Sequence, residues 1–410
     1  MTGPGDMSFG IEEKAEVGDV LSSGHLSRYG SPGDTGWKRK VLTLEREFAE
    51  MCGVRYAVAT SSGTSALLVS LLAAGIGPGD EVLVPGFTYV ASIGAIIHAR
   101  ATPVLVEIDE SLTMDPVDML KKITPKTKAV MPVHMLGNPC NMNAIMDHAD
   151  SGNLAVVEDC CQAGGASFES ERVGSFGDFG AFSFNRYKMM SAGDGGILVT
   201  DDKDLYERAF AIHDQGHIPL REGGKIAGPR SLIGLNFKMN ELTGAVALAQ
   251  LRKVGGMLEV LRQNKAEFKS QIIHLLTPPN SGGGGMEFRI INDPDGECAT
   301  LLTVLFDSRE RAETVAERLG TRTVGESGWH VYSKMDQIVE HKTPDPRWSI
   351  PTRFRKPGDL PCTDDILSRS VNLSVGVVDS GIGASFGINI TSDLEDIIEA
   401  AIKFADACHE

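Results

Sequence analysis

The chain has 410 residues, 42% of them hydrophobic, and a formal net charge of -16. Its length predicts about two or three domains around a sizeable core. Its acidity argues against a nucleic-acid backbone or an anionic membrane as partner. The longest apolar run, residues 66–76, is too short to span a bilayer and is interrupted by Ser70 and Gly75. The first seven residues lack the basic-then-apolar pattern of a signal peptide. Seven cysteines, an odd number without CxxC spacing, read as free thiols in a reduced, cytoplasmic protein.

In chain order, residues 1–35 are rich in Gly and Ser, with a short helical pattern over 11–21, and are expected to form an N-terminal arm or lid. Residues 38–52 form a helix candidate through Leu42, Leu44, Phe48 and Met51. Residues 55–86 read strand, tight turn, helix, Gly-Pro-Gly-Asp stop and strand, the start of a βαβ series. Further strands are expected over 102–108, 127–133 and 153–158, then a glycine loop over 165–180. Two short apolar strands, AFSF at 181–184 and GILVT at 196–200, flank a lysine and a glycine turn. Helices are expected over 203–214 and from 240 to 275, and a linker or hairpin tip at the glycine run 277–285. A strand over 300–306 and a helix over 309–319 follow, then an irregular stretch to 370. The chain closes with a strand near 386–390 and a helix over 393–408. Strands alternating with helices predict an α/β large domain with a mostly parallel, doubly wound sheet, residues 36–260. A smaller α+β domain is expected over 261–410.

Three stretches carry candidate chemistry. In Ser61-Ser62-Gly63-Thr64-Ser65, a strand ends, a glycine turns the chain and an apolar helix begins. Such a helix N-terminus offers free amides to an anion, although Ser and Thr there also serve as ordinary caps. In Val156-Val157-Glu158-Asp159, an apolar strand delivers Asp159 at its carboxyl end, where open α/β sheets bind ligands; a turn or cap aspartate is the plainer alternative. In the third stretch, Lys188 is either a solvated surface group or an amine held at a site. Phe182, Phe184, Tyr187, Met189 and Met190 form an apolar surround that would lower the pKa of such an amine, as imine formation requires. Gly193, Gly195 and Gly196 mark the turn beyond it. A phosphate cradle, a strand-end carboxylate and a lysine in that order suit a phosphorylated pyridine that forms a Schiff base.

At these residues the chain resembles the DegT/DnrJ/EryC1/StrS sugar aminotransferases, pyridoxal 5'-phosphate enzymes of aspartate-aminotransferase fold type I. The resembling segments run from about residue 45 to 251 and include "SSGTSALLVSLLAAGIGPGDEVLVPGFTYVAS", "VVEDCCQAGGA", "KMMSAGDGGILVTDD" and "LIGLNFKMNELTGAVALAQL". The resemblance implies that Lys188 forms the Schiff base and moves protons, and that Asp159 keeps the pyridine nitrogen protonated. It implies that Gln162 lies near the ring hydroxyl and that Tyr89 stacks on the ring. Gly63, Thr64, Ser65 and Ser183 would contact the phosphate, and Asn236 would reach the phosphate of a partner subunit in a homodimer with shared active sites. Where the family usually has Glu, His and Arg, this chain has Asp194, Gly164 and Lys238.

Two further segments, AIHDQGH at 211–217 and VGVVDSGIGASFGINI at 375–390, resemble members that aminate a carboxylated eight-carbon sugar related to Kdo. On that resemblance Arg186, Lys238, Arg221 or Arg230 are candidate carboxylate cations, with surface or structural roles as the alternative. His134, Tyr187 and His330 are candidate substrate-side residues; a structural histidine is the alternative at 134. No metal site is expected. The implied activity is amino transfer from L-glutamate or L-glutamine to a keto- or aldehydo-sugar or a cyclitol, in amino-sugar or natural-product biosynthesis. The alternatives are a sugar dehydratase using the same cofactor, an enzyme using it for elimination, racemisation or oxidation, and a cofactor-binding regulatory protein.

Overall fold

A computed structural model describes residues 2–31, 33–219, 231–276, 285–345 and 356–409. The expected βαβ pattern is built as β1 Tyr56–Thr60, β2 Glu81–Pro85, β3 Thr102–Val106, β4 Thr127–Val130 and β5 Ala155–Asp159. The glycine loop holds a short hairpin, β6 Ser167–Phe168 and β7 Glu171–Arg172, before β8 Phe179–Ser183 and β9 Gly196–Thr200. The seven-stranded sheet has the order β1-β9-β8-β5-β4-β2-β3. Only β9 runs against its neighbours, β1 and β8; the other pairs are parallel. The carboxyl ends of the remaining six strands therefore share one edge. Helices cover both faces, which is why β9 is buried at every position and can be apolar without alternation.

The smaller sheet is antiparallel, with β11 Leu301–Phe306 between β10 Met286–Phe288 and β12 Ser370–Ser374. Phe306 and Phe404 pack with Phe268 and Ile272 of the helix Val254–Leu276 in one core. The boundary expected at 260 falls inside that helix, whose apolar face runs on past Leu261. The helix expected from 240 to 275 is two helices, Glu241–Leu251 and Val254–Leu276. Between them Lys253 N turns back to Gln250 O at 3.0 Å, a tighter bond that ends the first.

The described N-terminal residues up to Ser23 pack on the large domain. The helix Ile11–Ser23 buries Val20 and Glu13. Glu13 accepts from Gln250 Nε2 at 2.7 Å and pairs with Lys253 at 2.6 Å. Upstream, Gly3 N and Gly5 N donate to the carbonyls of Arg186 and Lys188 at 3.0 and 3.3 Å. The small residues that suggested a lid allow this backbone-to-backbone docking.

The stretch expected to be irregular up to 370 contains the helix Pro361–Ser368 and leads into β12. That strand is polar in wording, yet Asn372 is satisfied inside: its Nδ2 donates to Ile382 O at 2.8 Å and its Oδ1 accepts from Thr303 Oγ1 at 2.7 Å. Residues 386–390 make only an isolated bridge, Gly387 to Ser374, in place of the expected strand. The glycine run lies outside the described residues except for Gly285. Among the described residues no helix is long and apolar enough to cross a membrane.

Candidate active site

A cavity of about 580 Å³ opens at the shared carboxyl edge of the large sheet. Several of its walls come from strand ends. β1 runs into the helix Gly63–Ala73, whose N-cap is Ser62. Ser62 Oγ accepts from Ser65 N at 3.0 Å, and Ser62 N donates back to Ser65 Oγ at 2.9 Å. This box engages the Ser65 hydroxyl, and Ser65 is not part of the cavity lining. Gly63 and Thr64 do line the cavity. Their amides are the first two of the helix and have no carbonyl partner within it. A Cβ on Gly63 would meet Ser183 Cβ at 2.7 Å and Cys161 Sγ at 2.9 Å. Glycine there lets the helix start press against the end of β8.

β5 ends on Asp159, which is 4% exposed and turned to the cavity. Its Oδ2 accepts from Ser92 Oγ at 2.7 Å and its Oδ1 from Cys161 N at 3.0 Å. Ser92 shares a 2.7 Å bond with Thr88 Oγ1. Neither hydroxyl was expected at the site, although Thr88 and Ser92 flank Tyr89 at helical spacing. Gln162 spends its Oε1 on Leu136 N at 3.0 Å, which leaves its Nε2 as donor.

Lys188 follows β8 and is half-buried, its Nζ 6.0 Å from the Tyr89 ring centroid. It makes no ion pair among the described residues. Tyr89 stacks on Trp329 with centroids 6.3 Å apart, and burial raises its phenol pKa, with Asp379 and Tyr187 adding to the effect. The 329–331 segment is fastened there by Thr88 N to His330 O at 3.0 Å and Val90 N to Trp329 O at 2.9 Å. His330 is 6% exposed, and its Nδ1 lies 2.9 Å from Ser327 Oγ. Burial, aided by the Lys188 charge, lowers its pKa to about 3, so the ring is neutral.

The structure thus gathers Gly63, Thr64, Tyr89, Asp159, Gln162, Ser183, Tyr187, Lys188 and His330 around one cavity. Asp194, which stands where the family usually has Glu, lines it too, and Asp379 and Thr300 join from the smaller domain. Asp379 lies in the 375–390 segment singled out above, whereas Thr300 comes from a strand end without any local signal for a ligand.

Besides Ser65, four candidate residues stand outside the cavity lining. His134 is fully buried behind the wall: its Nδ1 accepts from Cys140 N at 3.0 Å and its Nε2 meets Glu158 Oε2 at 3.1 Å. Glu158 also accepts from the amides of Gly174, Phe176 and Gly177 at 2.7 to 2.9 Å. His134, Glu158 and Cys160 cluster, but the carboxylate is already saturated by donors, which suits a buried anion and not a metal ligand. Arg186 points outward and pairs with Asp6 at 3.2 Å. Lys238 binds Asp214, which also accepts from Tyr29 Oη at 2.6 Å. Asn236 is exposed and outside the cavity. Arg221 and Arg230 fall outside the described residues. At Gly164, a Cβ would come 3.1 Å from Met190 Cε, so a side chain there needs that methyl to move.

Residues 9–377 match the DegT/DnrJ/EryC1/StrS aminotransferase family. The chain belongs to this family. It is 39% identical over 266 residues to the GDP-perosamine synthase of Escherichia coli O157:H7, covering 65% of this chain and 70% of that one. It is 41% identical over 226 residues to the GDP-perosamine synthase of Caulobacter vibrioides, covering 54% and 60%. Among solved structures, 3-amino-5-hydroxybenzoic acid synthase superposes with a TM-score of 0.79 at 25% identity, over 98% of this chain and 97% of the other. The fold is that of the pyridoxal-phosphate-dependent aminotransferases, and pyridoxal phosphate is the family's cofactor.

The residues present fit that cofactor. Open helix amides and the glycine-cleared turn suit a phosphate. A buried strand-end carboxylate suits a protonated ring nitrogen, and an unpaired amine beside an aromatic face suits the aldehyde end.

Proposed function

We propose that this cavity transfers an amino group from L-glutamate or L-glutamine to the carbonyl of a keto- or aldehydo-sugar or cyclitol. The observation that carries the reading is the convergence on one cavity of the Lys188 amine, the Asp159 carboxylate and the Gly63–Thr64 amides. When bound, pyridoxal phosphate supplies an aldehyde that exchanges amines and a ring that withdraws electrons from the reacting carbon. Lys188 Nζ would hold the cofactor's aldehyde end and, when free, would move the proton off the donor carbon and onto the acceptor carbon. Asp159, oriented by Ser92, would set its carboxylate against the ring nitrogen. Gly63, Thr64 and Ser183 would bind the phosphate, Gln162 would donate to the ring hydroxyl, and Tyr89 would cover one face and shed water. Tyr187 and His330 face the substrate side; the neutral His330 offers a hydrogen bond without adding charge.

Among the described residues lining the cavity, Lys188 is the only Lys or Arg, against the carboxylates Asp159, Asp194 and Asp379. The relatives named as GDP-perosamine synthases point to a sugar as the acceptor.

The working unit is read as a homodimer. Ile233 and Leu235 are exposed beside Asn236, at 101% and 50%. A second copy laid on that patch would cover them and bring Asn236 to a neighbouring phosphate.

Borohydride reduction of the holoprotein should fix the cofactor on the peptide carrying Lys188. L-Glutamate with a keto-sugar should yield 2-oxoglutarate and an amino sugar. A protein that binds no pyridoxal phosphate, or that holds it without exchanging amines with any amino acid, would refute the reading.

A further inference from the structure

Arg289 follows β10 in the smaller domain and is 4% exposed. It has no carboxylate at ion-pair distance among the described residues. Glu297, the acid whose charge acts on it, is taken by Lys265, whose Nζ lies 2.7 and 2.5 Å from its two oxygens. Burial lowers the Arg289 pKa to about 10, with Glu297 opposing the shift, so the guanidinium is charged at neutral pH. A buried cation with no anion of its own is costly, and what it holds should account for it.

What it holds is a turn of the other domain. Its Nη2 donates to Leu136 O at 3.0 Å and its Nη1 to Met135 O at 3.4 Å. Leu136 has φ 56° and ψ 31°, a left-handed conformation that a branched side chain adopts only under constraint. The same turn is gripped again at Gly137, whose carbonyl accepts from Cys298 N at 2.9 Å. The amide of Leu136 points the opposite way, to Gln162 Oε1 at 3.0 Å. Leu136 and Gln162 both line the cavity.

We propose that Arg289 is a positioning residue for the cofactor pocket. By clamping the carbonyls of the Met135–Leu136 turn it fixes the Leu136 amide on Gln162 Oε1, which keeps the carboxamide nitrogen facing the cavity. The smaller domain thereby sets the donor that meets the cofactor's ring hydroxyl. This inference rests on the reading of the cavity as the pyridoxal-phosphate site.

The test uses the full chain, stripped of cofactor and titrated with pyridoxal phosphate, with the visible band of the bound cofactor followed against pH. Variants are Arg289→Met, Arg289→Lys, Gln162→Leu and Arg289→Met with Gln162→Leu. Arg289→Met should weaken cofactor binding by about ten-fold, the loss of a hydrogen bond to a charged group. It should move the pH midpoint of the band in the same direction as Gln162→Leu, with Arg289→Lys in between. The double variant should be no worse than Gln162→Leu alone. Additive effects, or a lower melting temperature with an unmoved midpoint, would overturn the proposal. Should Arg289→Met not fold, a wild-type midpoint in Arg289→Lys beside a shifted one in Gln162→Leu overturns it equally. A wild-type chain that takes up no pyridoxal phosphate removes the site reading itself, and this inference with it.

Discussion

Ser92 Oγ donates to Asp159 Oδ2 at 2.7 Å, from the first turn of the helix Val90–His98 to the last residue of β5. The bond ties two neighbouring wall elements together and leaves the carboxylate little freedom to rotate. Asp159→Asn removes the charge while keeping the shape. It should lower turnover by about 10²–10³-fold, the range for a preorganised electrostatic partner. Ser92→Ala leaves one oxygen short of a donor and should cost about ten-fold. Steady-state kinetics of both variants check this; near-wild-type turnover in Asp159→Asn would remove Asp159 from the reaction.

Two histidines should make stability fall in acid. His330 and His213 are both buried neutral, with pKa values lowered to about 3 by burial, assisted by Lys188 and by Arg28 respectively. His213 Nε2 lies 3.0 Å from Arg28 Nη1 and its Nδ1 2.6 Å from Phe210 O, so the ring accepts from the cation and donates to the carbonyl. The unfolded chain takes up protons at these rings below about pH 6.5, while the folded chain refuses them until about pH 3. Stability contributed by their neutrality is therefore full above pH 6.5 and is lost as pH falls through that window. Each ring contributes a slope of up to about 1.4 kcal/mol per pH unit. Denaturant unfolding from pH 7 to pH 4.5 should show the decline, and His330→Gln should flatten it by about half. An unchanged slope in that variant would count against a buried neutral His330.

Gly63→Ala should damage the phosphate end of the site. The new methyl would sit 2.7 Å from Ser183 Cβ and 2.9 Å from Cys161 Sγ, inside van der Waals contact. The helix start or the end of β8 must move, at a cost of about 1–3 kcal/mol for overpacking. Cofactor affinity should fall together with stability, measured by titration and by urea unfolding. A cofactor affinity equal to wild type would mean that the phosphate does not sit at this turn.

What was legible from the residues, and what was not, follows from range. Gly63, Asp159 and Lys188 each close a strand-to-turn pattern of a few residues, so their place at the carboxyl edge could be read locally. His134 also stands just past a strand, and position alone does not say which way a side chain turns; here it turns inward to Glu158. Arg186 lies two residues before Lys188 yet faces Asp6, because the turn between them reverses direction. Asp379 and Thr300 reach the cavity only through the packing of the smaller domain against the sheet. That packing joins residues more than a hundred positions apart and leaves no periodic trace. β12 has no such local pattern for a related reason: Asn372 is buried because Thr303, 69 positions away, and Ile382 satisfy it.

Glu13 tests whether the N-terminal segment belongs to the catalytic domain. Its carboxylate is fully buried and accepts from Gly10 N, Gln250 Nε2 and Lys253 Nζ at 2.7 to 2.8 Å. Gln250 in turn accepts, through its Oε1, from Ser191 N at 3.2 Å, three residues beyond Lys188. The helix Ile11–Ser23 is thus linked by two side chains to the loop that carries the lysine. Glu13→Ala strips Gln250 and Lys253 of a buried acceptor and should cost about 1–3 kcal/mol. With Gln250 free to turn, the Ser191 amide loses its partner and the Lys188 loop loosens, so cofactor affinity should fall as well. A freely hinged arm would produce neither effect. Urea unfolding and pyridoxal-phosphate titration of Glu13→Ala beside wild type decide between the two, and equal stability with equal affinity would restore the arm.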